Sequence, residues 1–148
     1  MRRLVWAGVG IAAVAGIAAI GSPMMRPRCA QVAGVSVIEI PLAKLMRGAT
    51  EFFCYRDNAG ERIRFILARD ANGHVNAVFD ACRQCYTFHK GYTVSGNYVV
   101  CRLCGNRYRI RNMRTGKASC VPVPLPVERK GKQLEVKVAD LKKGGALF

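Results

Sequence analysis

The chain has 148 residues, enough for one ordinary domain and a short appendage. Its 24 Lys and Arg against 9 Asp and Glu leave a formal charge of +15, yet 51% of its residues are hydrophobic. That hydrophobic share excludes a disordered chain, and the lack of several long apolar runs excludes a multi-span membrane protein. Seven cysteines, an odd number, cannot all be consumed by internal disulfides, so metal ligation or a free thiol is expected.

Residues 4–21, LVWAGVGIAAVAGIAAIG, carry no charge and follow Arg2 and Arg3. As a helix they would span about 27 Å, marginally enough for a bilayer core of about 30 Å. The expectation for residues 1–21 is a single hydrophobic helix serving as a membrane anchor. A cleaved signal segment competes with it, because Ala19 and Gly21 could frame a cut before Ser22. The basic residues lean toward an amino terminus inside and a domain on the extracytoplasmic side. Residues 22–34, with Pro23, Pro27, Arg26 and Arg28, are expected as a linker.

The remainder, residues 35–148, reads as a mainly β, small metal-binding domain. Strands are expected at Val35–Ile40, Glu51–Arg56, Arg62–Arg69, His74–Phe79, Tyr98–Arg102, Arg107–Ile110 and Leu134–Val138. Turn sequences separate them at Asp57–Gly60, Asp70–Gly73, Ser95–Asn97 and Lys130–Lys132. The run Arg62–Leu67 alternates and then turns wholly apolar, which predicts burial on both faces. Short helical stretches are expected at Pro41–Met46 and Ala139–Lys142. Val121–Pro126, with a proline at every second residue, cannot be a central strand and reads as an extended crossing segment.

Cys82-Arg83-Gln84-Cys85 and Cys101-Arg102-Leu103-Cys104 are two CxxC units separated by fifteen residues. This spacing is that of a four-thiolate metal site: two intervening residues turn the backbone so that both sulfurs converge on one ion, and two such knuckles complete a tetrahedron. Gly105 supplies the positive φ that such a knuckle favours. Two structural disulfides or a thioredoxin-like redox pair are the competing readings. Zinc and an iron–sulfur cluster both accept four thiolates. Between Asp80 and Glu128 there is no acid but eight cations, Arg83, Lys90, Arg102, Arg107, Arg109, Arg111, Arg114 and Lys117. Such a setting suits an anionic metal-thiolate centre. The same cations could instead form a solvated face or a phosphate-binding patch.

Phe79-Asp80-Ala81-Cys82-Arg83-Gln84-Cys85-Tyr86, then Lys90-Gly91-Tyr92, Val99–Gly105 and Cys120-Val121-Pro122-Val123-Pro124-Leu125 together resemble the membrane iron–sulfur family called FtrD-like. The ordered match covers residues 79–125, with weaker similarity over residues 35–148. The resemblance implies a membrane-associated iron–sulfur or metal-binding protein, linked in some members to ferrous-iron transport and electron transfer. It carries Cys82, Cys85, Cys101, Cys104 and Cys120 over as ligands. The family tends to place Gly-Gly before its last cysteine, where this chain has Ala118-Ser119, so Cys120 ranks behind the other four. Family members can also carry several further membrane spans, whereas this chain offers one.

Cys54, in a strand-like run, is expected as a buried structural residue, and Cys29, in the linker, as a spectator. His89 and His74 are read as surface or structural residues rather than ligands. No Ser-His-Asp set, paired-carboxylate motif or phosphate-cradling loop is present. The function expected is a tethered iron–sulfur protein acting in electron transfer or iron handling, with a membrane redox or iron-transport partner and no nucleic acid. It would be a carrier or metal-binding protein rather than a catalyst. The alternatives are a structural zinc-ribbon module that binds an acidic partner, and a thiol–disulfide redox protein.

Overall fold

A computed structural model describes residues 28–115 and 120–148. The apolar segment at 4–21, and with it the expected anchor, lies outside the described residues. So do Ala118 and Ser119. Among the described residues no helix is long and apolar enough to cross a membrane.

The strands run in chain order as β1 (Ala30–Val32), β2 (Val37–Pro41), β3 (Thr50–Arg56), β4 (Arg62–Arg69), β5 (Val75–Cys82) and β6 (Tyr92–Ser95). They continue as β7 (Tyr98–Cys101), β8 (Arg107–Arg109), β9 (Pro122–Pro124), β10 (Glu128–Lys130) and β11 (Gln133–Lys137), followed by a short helix α1 (Val138–Lys143). The domain is mainly β, as the alternating runs predict. Among the described residues three sheets result, ordered β1-β3-β4-β5-β9, β10-β11-β2 and β6-β7-β8.

The five-stranded sheet is the middle layer. Alternation along β4 sends Ile63, Phe65 and Leu67 to one face, where they join Ile38, Ile40, Leu134 and Val136 of the β10-β11-β2 sheet and Val138 and Leu141 of α1. It sends Ile66 and Ala68 to the other face, with Tyr92, Val99, Cys101 and Tyr108 of the β6-β7-β8 sheet. Both faces are therefore covered, which is why Phe65, Ile66 and Leu67 are all fully buried in succession. Strand β5 alternates likewise: Ala77, Phe79 and Ala81 join the first core, Val78 and Cys82 the second.

Several expectations need correction. The end of the predicted linker is not free chain: Ala30–Val32 form β1, paired in parallel with Phe53–Tyr55 of β3. Cys29 is not a spectator, because it forms a disulfide with Cys54, their Cα atoms 5.5 Å apart. A three-residue strand with no alternation leaves no local pattern, and the parallel pairing arises from residues more than twenty positions away. The stretch expected as helical at Pro41–Met46 shortens to a single 3-10 turn at Leu42–Lys44. The proline-rich segment is an edge strand, β9, paired with β5 through Val78↔Pro124 and Cys82↔Pro122. An edge is the one sheet position that tolerates missing donors.

Candidate metal centre

Three elements of the second core converge on one end of the middle sheet. Cys82 is the last residue of β5, and Cys85 precedes a 3-10 turn at Tyr86–Phe88. The Cys85 backbone N–H donates to Cys82 Sγ across 2.8 Å, which closes the first knuckle. Cys101 is the last residue of β7, and the second knuckle is the turn from β7 to β8. The Cys101 N–H donates to the Asn106 carbonyl (2.9 Å), and the N–H of Gly105 (φ +74°) donates to the Cys101 carbonyl (2.9 Å). The pairing of β9 with β5 brings Cys120 alongside Cys82, reinforced by an Arg83 N–H bond to the Val121 carbonyl (3.3 Å). The Tyr92 hydroxyl donates to the Cys120 carbonyl across 2.8 Å and fixes it from beneath.

The sulfurs of Cys82, Cys85, Cys101 and Cys120 all lie within 4.8 Å of one another. Cys85 Sγ and Cys120 Sγ are 3.1 Å apart. Cys82, Cys101 and Cys120 are buried, Cys85 is half-buried and Cys104 is exposed. The geometry thus places Cys120, ranked last of the five on sequence, inside the tight set, and leaves the exposed Cys104 outside it. His89 lines the same cleft but is exposed, held at φ +49°. His74 lies elsewhere, its N–H and ring bonded to Asp70.

Burial pushes the Cys101 thiol up to about 11, partly opposed by the backbone N–H groups of Cys104 and Leu103 that point at its sulfur. Burial, and then the thiols of Cys104 and Cys85, hold Cys120 well above the usual thiol range. At Cys85 the hydrogen bond from Cys120 favours the thiolate, but burial and the neighbouring Cys82 thiol outweigh it and the net shift is upward. Cys104 is the exception. Burial raises it, but hydrogen bonds from the Cys120 thiol, the Asn106 N–H and the Cys101 thiol outweigh burial and hold it below the ordinary value. Without a cation the raised thiols of Cys85, Cys101 and Cys120 stay protonated, and a metal supplies the charge that ionises them.

The donor set fits a metal-thiolate group. A tetrahedral centre with metal–sulfur bonds of about 2.3 Å needs sulfurs about 3.8 Å apart, within the observed 4.8 Å bound. An all-sulfur set of four is equally the set that iron–sulfur clusters take. A second observation points the same way. The Tyr108 hydroxyl is buried with no hydrogen-bond partner among the described residues, in the core that holds Cys82, Cys101 and Cys120. Burial, then the nearby thiols of Cys120 and Cys104, push that hydroxyl up to about 12, so it remains a donor.

Behind the cysteines is a feature the sequence did not single out. Asp80, two residues before Cys82 on the same strand face, is 1% exposed and paired with Arg64 of β4. Its Oδ1 accepts the Tyr92 N–H across 2.7 Å, which ties β5 to the start of β6. Gly91 lies so close that a Cβ there would stand 2.5 Å from Asp80 Oδ1. The acid ahead of the first CxxC and the Gly-Tyr pair after Lys90 were the only local signals of this contact.

The family model described as "Membrane iron-sulfur containing protein FtrD-like" matches residues 45–148. No curated protein matches the chain. Among solved structures, a chain of the complex of reduced oxygenase and oxidised ferredoxin in carbazole 1,9a-dioxygenase is similar at 14% identity, with 70% of this chain and 91% of that one covered and a TM-score of 0.45. The quaternary ammonium Rieske monooxygenase CntA with inhibitor MMV12 is similar at 18% identity over 65% of this chain, with a TM-score of 0.41. This chain spans only 29% of that monooxygenase's length. Both likenesses are remote.

Proposed function

Because the chain belongs to the FtrD-like family of membrane iron–sulfur containing proteins, we propose that its β domain holds an iron–sulfur cluster on cysteine thiolates and carries electrons in iron handling or iron transport. The observation that carries this reading is the meeting of four cysteine sulfurs within 4.8 Å at the buried end of the middle sheet. A bound cluster would supply one-electron redox chemistry. The protein's own contribution is to hold the thiols in two knuckles, to aim backbone N–H groups at their sulfurs, and to keep water away with Tyr92 and Tyr108. Each N–H donor stabilises negative charge on sulfur.

Location and partner follow in the same reading. Residues 4–21 would tether the domain, and the Cys29–Cys54 disulfide supports an oxidising, extracytoplasmic setting. Phe88 and Leu103, 60% and 43% exposed, lie in the two CxxC regions, which also carry Arg83, Lys90 and Arg102 in sequence. Exposed apolar side chains in a basic stretch suit a membrane redox or iron-transport partner with an acidic face.

A second reading is a single structural zinc ion. It is favoured by the sulfur spacing itself, which already matches the edge of a one-ion tetrahedron. Anaerobic purification of the full chain, followed by absorption spectroscopy and assay of iron, acid-labile sulfide and zinc, separates the two. Brown protein with iron and sulfide supports the cluster. Colourless protein with one zinc per chain would falsify it.

A further inference from the structure

Outside the cysteine centre, a buried cation stands against sulfur. The register of β3 with β4 sets Arg64 directly opposite Cys54. From there Arg64 Nη1 donates to Cys29 Sγ across 3.1 Å and lies 3.7 Å from Cys54 Sγ, so one guanidinium faces both sulfurs of the disulfide. Its side chain is 7% exposed and is held from the other side by Asp80 Oδ2 at 2.8 Å. A disulfide sulfur is a weak acceptor, whereas a thiolate makes a strong, charge-assisted bond to a guanidinium. The two sulfurs also differ in access. Cys54 is fully buried in β3, while Cys29 is half-buried just ahead of β1, at the edge of the five-stranded sheet.

We propose that Cys29–Cys54 is a site of thiol–disulfide exchange, reduced by a dithiol that attacks Cys29 while Cys54 leaves against Arg64. In the first step the reductant's thiolate bonds to Cys29 Sγ and the Cys29–Cys54 bond breaks. Its electron pair leaves on Cys54 Sγ, where Arg64 Nη1 is in place to stabilise the negative charge as it forms. In the second step the reductant's other sulfur attacks its partner sulfur in the mixed disulfide, and Cys29 is released. The reductant ends as a disulfide, two electrons have passed to the protein, and the two thiol protons end on Cys29 and Cys54. The direction of attack follows from access, since Cys29 is the sulfur that a reagent reaches. Reduction also removes the covalent tie on β1, whose own pairing with Phe53–Tyr55 is three residues long. The inference draws on none of the five clustered cysteines, so it stands or falls apart from the reading of that centre.

The test uses the full chain as purified, with dithiothreitol as the dithiol and no denaturant. Quenching with iodoacetamide and peptide mapping reads the Cys54 thiol directly, so the other cysteines do not enter the count. Arg64→Gln combined with Asp80→Asn removes the cation without leaving a buried ion unpaired. Reduction should be about tenfold slower in this double variant, the low end for one hydrogen bond to a charged group. A fold merely loosened by the changes would be reduced faster, so slowing reads the cation itself. A rate equal to or above wild type would overturn the proposal.

Should the double variant fail to fold, reduced glutathione on wild type decides the matter. The adduct is expected on Cys29, with Cys54 recovered as the free thiol. An adduct on Cys54, or reduction no faster than global unfolding, would make the disulfide a structural crosslink and overturn the exchange site.

Discussion

Arg64 donates its Nε–H to Asp80 Oδ2 across 2.8 Å, with the two side chains 7% and 1% exposed. The register that sets Phe65 against Phe79 brings this pair face to face between β4 and β5. From there Asp80 reaches forward to the Tyr92 N–H, and Arg64 reaches back to within 3.1 Å of Cys29 Sγ. One buried ion pair thus connects the disulfide end of the sheet to the cysteine end. Asp80→Asn keeps the shape and an acceptor for Tyr92 but removes the charge that Arg64 faces. Breaking a buried pair from one side costs about 3–5 kcal/mol. Urea unfolding of the metal-free, oxidised protein should show a loss of that size, and a change below about 1 kcal/mol would mean the pair is solvated in practice.

The Cys29–Cys54 disulfide closes a loop across 25 positions of sequence. In the chain-entropy account such a closure stabilises by about 3.5 kcal/mol. It also anchors β1, whose three residues could not hold a parallel pairing on their own backbone bonds. Cys54→Ala should therefore lower the thermal midpoint by well over ten degrees for a domain of this size. It should also raise hydrogen exchange at Ala30–Val32 before any other strand. Equal protection at β1 in both proteins would show that the disulfide is not what holds the strand in place.

How much of this was legible depends on the range of each interaction. Strand β4 is Arg62–Arg69, the range its alternation predicts, and the two knuckles close through contacts three to five residues apart. Spacing alone can report such contacts. The order of Cys104 and Cys120 could not be read that way. Cys120 joins the set because β9 pairs with β5, forty residues away in sequence, and because Tyr92 holds its carbonyl. Cys104 stays outside because it sits exposed in the turn between the paired strands β7 and β8. Cys29 escaped notice for the same reason as β1: its partner is set by a parallel pairing that no local pattern announces.

Metal loading should depend steeply on pH. Burial holds Cys101 up near 11, and Cys85 and Cys120 are also raised, so in the metal-free protein these thiols are protonated at neutral pH. Binding must expel those protons. Because the raised groups release protons on binding, affinity falls as pH falls. Below the thiol range the logarithm of the association constant should change by about three to four per pH unit for three to four protons released. Competition with a chelator between pH 6 and 8 measures the slope. A slope near one would mean that most of the thiols are already ionised before metal arrives.

Tyr108 gives a test with two independent arms. Its hydroxyl is buried without a hydrogen-bond partner among the described residues, which ordinarily costs about 1–3 kcal/mol. In the metal-free protein Tyr108→Phe should therefore be neutral or more stable by about 1 kcal/mol, the reverse of most core substitutions. In the loaded protein the same hydroxyl, set among Cys82, Cys101 and Cys120, is placed to donate to sulfur that carries negative charge. Reduction adds charge, so losing a donor should lower the potential, by about 40–60 mV for a one-electron centre if the bond contributes about 1–1.5 kcal/mol. Voltammetry of the two proteins supplies the second arm. A Tyr108→Phe protein that is less stable without metal and unchanged in potential with it would show that the hydroxyl has a partner elsewhere and plays no part in the centre.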